Sequence, residues 1–151
     1  MADSNPFSHE KADDSAGFLL WKITALWQKK LAEVLSEFNI SQTQYAIMAS
    51  LKWLEQHQEA TTQASIANFA RIDKMTLSKS IRKLEAAGMI KRIPSTEDSR
   101  SVNVKFTLAG YKVIEKAIVA IETADELFFS TLSPKEQDQY KSLTQKVITA
   151  S

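Results

Sequence analysis

Apolar residues recur at steps of three and four along most of the chain. Leu20, Ile23, Trp27, Leu31, Val34, Leu35 and Phe38 form the first such series, so the spacing predicts a long amphipathic helix over roughly 14–38. Leu19 and Leu26 widen its apolar stripe beyond what one packing partner covers. Ser41-Gln42-Thr43-Gln44 reads as a capping box that opens a second helix, with Tyr45, Met48, Leu51 and Leu54 on one side. Beyond the polar connector Glu55 to Thr61, Thr62 caps a short helix, Gln63 to Ala70, whose Ile66, Ala67 and Phe69 are expected to face inward. Asp73 caps the next, Lys74 to Ala87, and Gly88 ends it in the left-handed position. Only the turn Arg71-Ile72 separates these two helices.

The pattern then changes to alternation. Met89 to Ile93 and Val102 to Phe106 read as two short strands, the second alternating Val102, Val104 and Phe106 with Asn103 and Lys105. A polar, turn-forming loop from Pro94 to Ser101 joins them. Thr107 caps a long helix carrying Leu108, Tyr111, Ile114, Ile118, Ile121 and Phe128, and the capping box Ser133-Pro134-Lys135-Glu136 opens a last one with Tyr140, Leu143 and Val147. The fold class that follows is mainly α with a small β-wing. A winged helix-turn-helix domain spans 41–106, N- and C-terminal dimerisation helices occupy 14–40 and 107–149, and 1–13 forms a flexible tail.

The outer helices are assigned to dimerisation because they carry more apolar surface than one small winged domain covers. Phe128, Phe129, Tyr140, Leu143 and Val147 would be exposed on a monomer, and such patches usually mark interfaces. Two-fold symmetry would then pair two identical winged domains.

Composition narrows the chemistry. The 151 residues include no Cys and two His, which excludes thiol chemistry, thiolate zinc and disulfides and argues against a catalytic imidazole or a His-rich metal site. No Gly-rich phosphate loop or triad-like grouping appears, so neither a cofactor nor an enzymatic activity is expected. No apolar run approaches the ~20 residues of a membrane span, and the first residues lack the basic and apolar character of a signal peptide. A cytoplasmic location without a membrane partner is expected.

Charge is distributed unevenly. The formal total is +1, yet Arg71 to Lys105 holds nine basic residues against four acidic, a net of +5 that leaves −4 for the remainder. An acidic frame around one basic segment points to a polyanion, here double-stranded DNA. On the 74–87 helix, Leu77, Ile81 and Leu84 share one face, while Lys74, Met75, Thr76, Ser78, Lys79 and Arg82 are the candidate recognition residues. Arg and Lys can donate to guanine O6/N7 and hydroxyls to phosphate or bases, and the helix N-terminus favours phosphate. In the hairpin, Arg92 and Arg100 are the candidate wing contacts, with Asp98 expected to orient the Arg100 guanidinium.

These segments resemble the MarR family of bacterial transcription regulators. The resemblance runs through Thr62-Gln63-Ala64-Ser65-Ile66-Ala67, Asp73-Lys74-Met75-Thr76-Leu77-Ser78-Lys79 and Leu84-Glu85-Ala86-Ala87-Gly88-Met89-Ile90, then Asp98-Ser99-Arg100 and Leu108-Ala109-Gly110. It implies a homodimer, held by the first helix with the last two, that reads a pseudo-palindromic operator and most simply represses. It also implies a small aromatic effector bound between the dimerisation helices and the winged domain. Phe18, Trp21, Lys22, Tyr45 and Met48 are the candidate pocket residues, Lys22 as a carboxylate partner, although an aromatic stripe at helical spacing equally describes core. Without Cys or clustered His, the chain departs from the oxidant- and zinc-responsive branches. The competing reading is a helical dimeric protein-interaction module that uses the winged fold without DNA. It would call for apolar anchors on the outer face of the 74–87 helix, where only Met75 is apolar.

Overall fold

The computed structural model describes residues 4–57, 60–96, 98 and 100–151. Helix α1 runs Ala16–Leu35 and continues into a 3-10 turn, Ser36–Phe38, that closes on Asn39 in the left-handed conformation (φ 55°). Then follow α2 (Gln42–Glu55), α3 (Gln63–Ala70), α4 (Lys74–Ala86), strands β1 (Ile90–Pro94) and β2 (Val102–Phe106), α5 (Leu108–Phe128) and α6 (Pro134–Ala150).

The helix starts follow local chemistry. The side chains of Ser41, Thr62 and Ser133 each accept from the backbone N–H three residues on, and their own backbone N–H groups donate in return to the side-chain oxygens of Gln44, Ser65 and Glu136 respectively. Asp73 and Thr107 cap α4 and α5 by accepting from the backbone N–H three residues on, at Thr76 and Gly110. Gly88 lies at φ 76° just past α4, as its position after the last helical turn requires. The turn between α3 and α4 is made by Arg71 at φ 53°, which lets the chain reverse within three residues.

Ile47, Met48, Leu51, Ile66, Leu77, Ile81, Leu84, Ile90, Val104 and Ile114 form the core, all at or below 2% exposure. It sits where α2, α3 and α4 meet the hairpin and the N-terminal half of α5. Met48, a candidate pocket residue, is fully buried in this core. Phe69, expected inward, is half exposed: α3 is only eight residues long, and two buried positions, Ile66 and Ala67, already define its inner face.

β1 and β2 pair antiparallel with Ile90 opposite Phe106 and Arg92 opposite Val104. The hairpin is fastened on its other edge as well, because Val104 N–H donates to Thr61 O at 2.9 Å and Thr62 bridges Asn103. The wing is thus joined to the start of the helix-turn-helix. Gly110 completes the junction, since a Cβ there would lie 1.9 Å from the Met89 carbonyl oxygen. That same oxygen accepts from Thr107 N–H, while the Thr107 hydroxyl donates to Gly88 O.

Candidate nucleic-acid interface

Burial of Leu77, Ile81 and Leu84 decides which side of α4 faces solvent. Lys74, Met75, Thr76, Lys79 and Arg82 are exposed and Ser78 is half-buried, so five of the six candidate recognition residues lie open on the outer side. Among the described residues, no carboxylate pairs with Lys74, Lys79 or Arg82, and their charges remain available to a ligand. Thr76 is constrained: its N–H donates to one Asp73 carboxylate oxygen at 2.8 Å and its hydroxyl to the other at 2.6 Å. These bonds hold the Asp73 carboxyl below its usual range and fix the cap as an anion.

The wing departs from the sequence-based expectation at two residues. Arg92 is turned onto α4, where its Nε and a terminal guanidinium nitrogen donate to one Glu85 oxygen at 3.1 and 3.0 Å. Its backbone N–H donates to the other at 3.0 Å. Arg92 is accordingly a brace between recognition helix and wing, because Glu85 supplies a bidentate acceptor closer than any outside ligand. These hydrogen bonds, with the charge of Arg92, hold the Glu85 carboxyl below its usual range. A sequence signal for the brace existed: a carboxylate in the last turn of a helix opposes the macrodipole and calls for a nearby cation.

Asp98 is the second correction. Its carboxylate accepts from the backbone N–H of Arg100 at 2.9 Å, so it shapes the turn and leaves the guanidinium exposed. Ser101 N–H closes the turn on Asp98 O at 3.0 Å. Ser99, the middle of that motif, lies outside the described residues.

The outer helices meet through aromatic rings. Trp27 of α1 packs on Phe128 (centroids 5.2 Å), Phe128 on Phe129 (5.0 Å), and Phe129 on Tyr140 of α6 (5.1 Å). Phe128 and Phe129 are therefore half-buried within one chain, not bare as expected, because α1 and α6 approach them from two sides. Leu143 and Val147 remain 64% and 68% exposed, and α6 has no buried residue at all.

Of the candidate pocket residues, Phe18 and Lys22 meet on α1. Trp21 is 74% exposed, and Lys22 pairs with Asp13 at 2.6 Å while lying over the Phe18 ring at 4.9 Å. Tyr45 is half-buried on α2, and burial, with Glu122 and Asp125 facing it, pushes its phenol up to about 12. Sequence reasoning missed a groove of about 500 Å³ between α2 and α5, lined by Lys52, Trp53, Glu115, Ile118 and Val119 among others. Lys52 Nζ donates to the Tyr111 hydroxyl at 2.7 Å, lies 4.0 Å from the centre of that ring and is 4.0 Å from Glu115. Lysine and tyrosine 59 positions apart give no local pattern that sequence could have exposed.

A two-helix turn with one cationic outer face, braced to a β-hairpin and flanked by aromatic helices, defines a winged-helix transcription regulator. A family model for the ArnR1-like winged-helix domain matches residues 36–124. The chain is 34% identical over 122 residues to YdcH, an uncharacterized HTH-type transcriptional regulator of Bacillus subtilis (strain 168), covering 81% of this chain and 83% of that one. Its fold matches S. aureus MepR in a DNA complex with a TM-score of 0.80 at 25% identity, over 91% of this chain and 98% of the other. It also matches a mutant MarR from E. coli complexed with operator DNA, with a TM-score of 0.78 over 87% and 91% of the two chains; at 22% identity this likeness is one of fold. The chain belongs to the ArnR1-like winged-helix family and is related to the HTH-type transcription regulators. Among the described residues no helix is long and apolar enough to cross a membrane.

Proposed function

We propose that this chain is a sequence-specific repressor of transcription that binds a pseudo-palindromic DNA operator as a homodimer. The observation that carries the reading is the outer face of α4, where Lys74, Lys79 and Arg82 stand exposed without carboxylate partners among the described residues. A groove-sized helix with its cations free and its other face in the core suits entry into the major groove. Arg100, exposed at the wing tip, would reach the flanking backbone or minor groove. The MepR and MarR neighbours were both captured on DNA, which supports the same use of α4 here.

The dimer would form through α1, α5 and α6, where Leu19, Leu20, Leu26, Leu143 and Val147 offer apolar surface that their own chain leaves open. A small aromatic acid that releases the DNA would find an ammonium and an indole wall together at Lys52 and Trp53 in the α2–α5 groove.

Fluorescence anisotropy of a duplex from the gene's own upstream region, with random-sequence competitor at two salt concentrations, tests the reading. Competitor-resistant binding that weakens steeply with salt is expected. If fragments selected from the whole genome also yield nothing that resists competitor, the winged fold serves a protein partner instead. Benzoate-type acids added to the preformed complex check the release.

A further inference from the structure

We infer that Met75 is a specificity-determining residue that reads the 5-methyl group of a thymine in each operator half-site. The inference rests on the DNA-binding reading of α4 proposed above. Met75 is 84% exposed, more than any other large apolar side chain among the described residues. It cannot turn inward, because Leu77, Ile81 and Leu84 hold the opposite face of α4 in the core at 2% exposure or less. Met75, Ser78, Lys79 and Arg82 follow one another at helical spacing, so the methionine stands beside Lys74 at the N-terminal end of the cationic stripe. In a recognition helix that end is the one that contacts base edges.

Chemistry then selects the feature read. Thr76, the next residue, donates its hydroxyl to Asp73 and has no proton left for a base. Met75 offers a thioether and a methyl group, which donate nothing. Every base edge in the major groove displays donors or acceptors, and the thymine methyl is the one apolar feature among them. A flexible, polarisable side chain adapts well to such a contact. An apolar protein surface would also accept a methionine, but the exposed Lys74, Lys79 and Arg82 around it favour a polyanion.

The test uses the full chain and a duplex that it selects from a randomised pool in the presence of competitor. Each thymine of one half-site is replaced in turn by deoxyuridine, which keeps the pairing edge and removes only the methyl. At one thymine the replacement should weaken wild-type binding about fourfold, the value of burying one methylene-sized group. Met75→Ala, which removes the contact from both half-sites, should bind the thymine duplex about fifteenfold more weakly and no longer distinguish thymine from uracil there, while Met75→Leu should keep the distinction. Arg82→Ala, which leaves the tip intact, should lower affinity and preserve it. The inference is overturned if wild type ignores the methyl at every thymine, or if Met75→Ala discriminates as wild type does. Failure to select any competitor-resistant duplex would remove the DNA-binding reading itself, and the inference with it.

Discussion

Arg82, Arg92 and Arg100 carry the same charge within nineteen positions of one another and meet three different fates. Arg82 is exposed on the outer side of α4, Arg100 is exposed in the wing, and Arg92 is held by Glu85. Arg82→Ala should therefore cost about 1–3 kcal/mol of binding and relax preference at one base position, which anisotropy against operator variants would read. Arg100→Ala should weaken all duplexes evenly and flatten the salt dependence by about one unit of slope; an unchanged slope would take the wing tip out of the contact set. The Glu85–Arg92 pair makes a prediction about pH. Because the folded-state carboxyl titrates below its usual range, its contribution to stability is complete above the ordinary value of about 4.3 and is lost as pH falls through the depressed one. Thermal melts of wild type and Glu85→Gln should differ at pH 7 and converge as pH falls below the ordinary carboxylate range. A gap that stays constant with pH would show that the carboxylate charge is not what the brace uses.

At the scale of elements, the joints between helices and hairpin matter more than the helices themselves. Gly110 lets the first turn of α5 rest on the backbone of Met89, and the same carbonyl receives Thr107 N–H. Gly110→Ala should cost about 2–3 kcal/mol in urea denaturation, because the added methyl meets backbone that cannot yield without moving the wing. Gly17→Ala is the control within the same protein. Its Cβ would find nothing nearer than Ser15 Oγ at 4.0 Å, so it should be neutral or stabilise α1 by up to about 1 kcal/mol. Elements were also the most legible part of the fold. A cap links a side chain to a backbone N–H three residues away, so Ser41, Thr62, Asp73, Thr107 and Ser133 could be recognised from their neighbours alone. The direction of Phe69 could not be read, since two turns of helix are too short for periodicity to separate inside from edge.

At the scale of the molecule, α6 touches its own chain through few points. Tyr140 packs on Phe129, and Gln137 donates to the Phe129 and Leu132 carbonyls at 3.1 Å, but Leu143, Val147 and Ile148 lie open. Replacing Leu143 and Val147 together by Glu should leave the helical circular dichroism intact, shift sedimentation from dimer to monomer, and weaken operator binding as the second half-site contact is lost. A dimer that survives both charges would place the interface elsewhere.

What the sequence by itself determined is whatever depends on near neighbours: the order of the six helices and two strands, their caps, the cationic outer face of α4, and the absence of thiol chemistry. The long α4 stripe shows which face is buried because three apolar residues at helical spacing leave one choice. The tertiary structure alone decided how charges and rings are shared between elements. It put Met48 in the core, Phe128 and Phe129 between α1 and α6, and Lys52 against Tyr111. A side chain's partner across a packed interface depends on distances between elements, and no spacing along one chain segment encodes them.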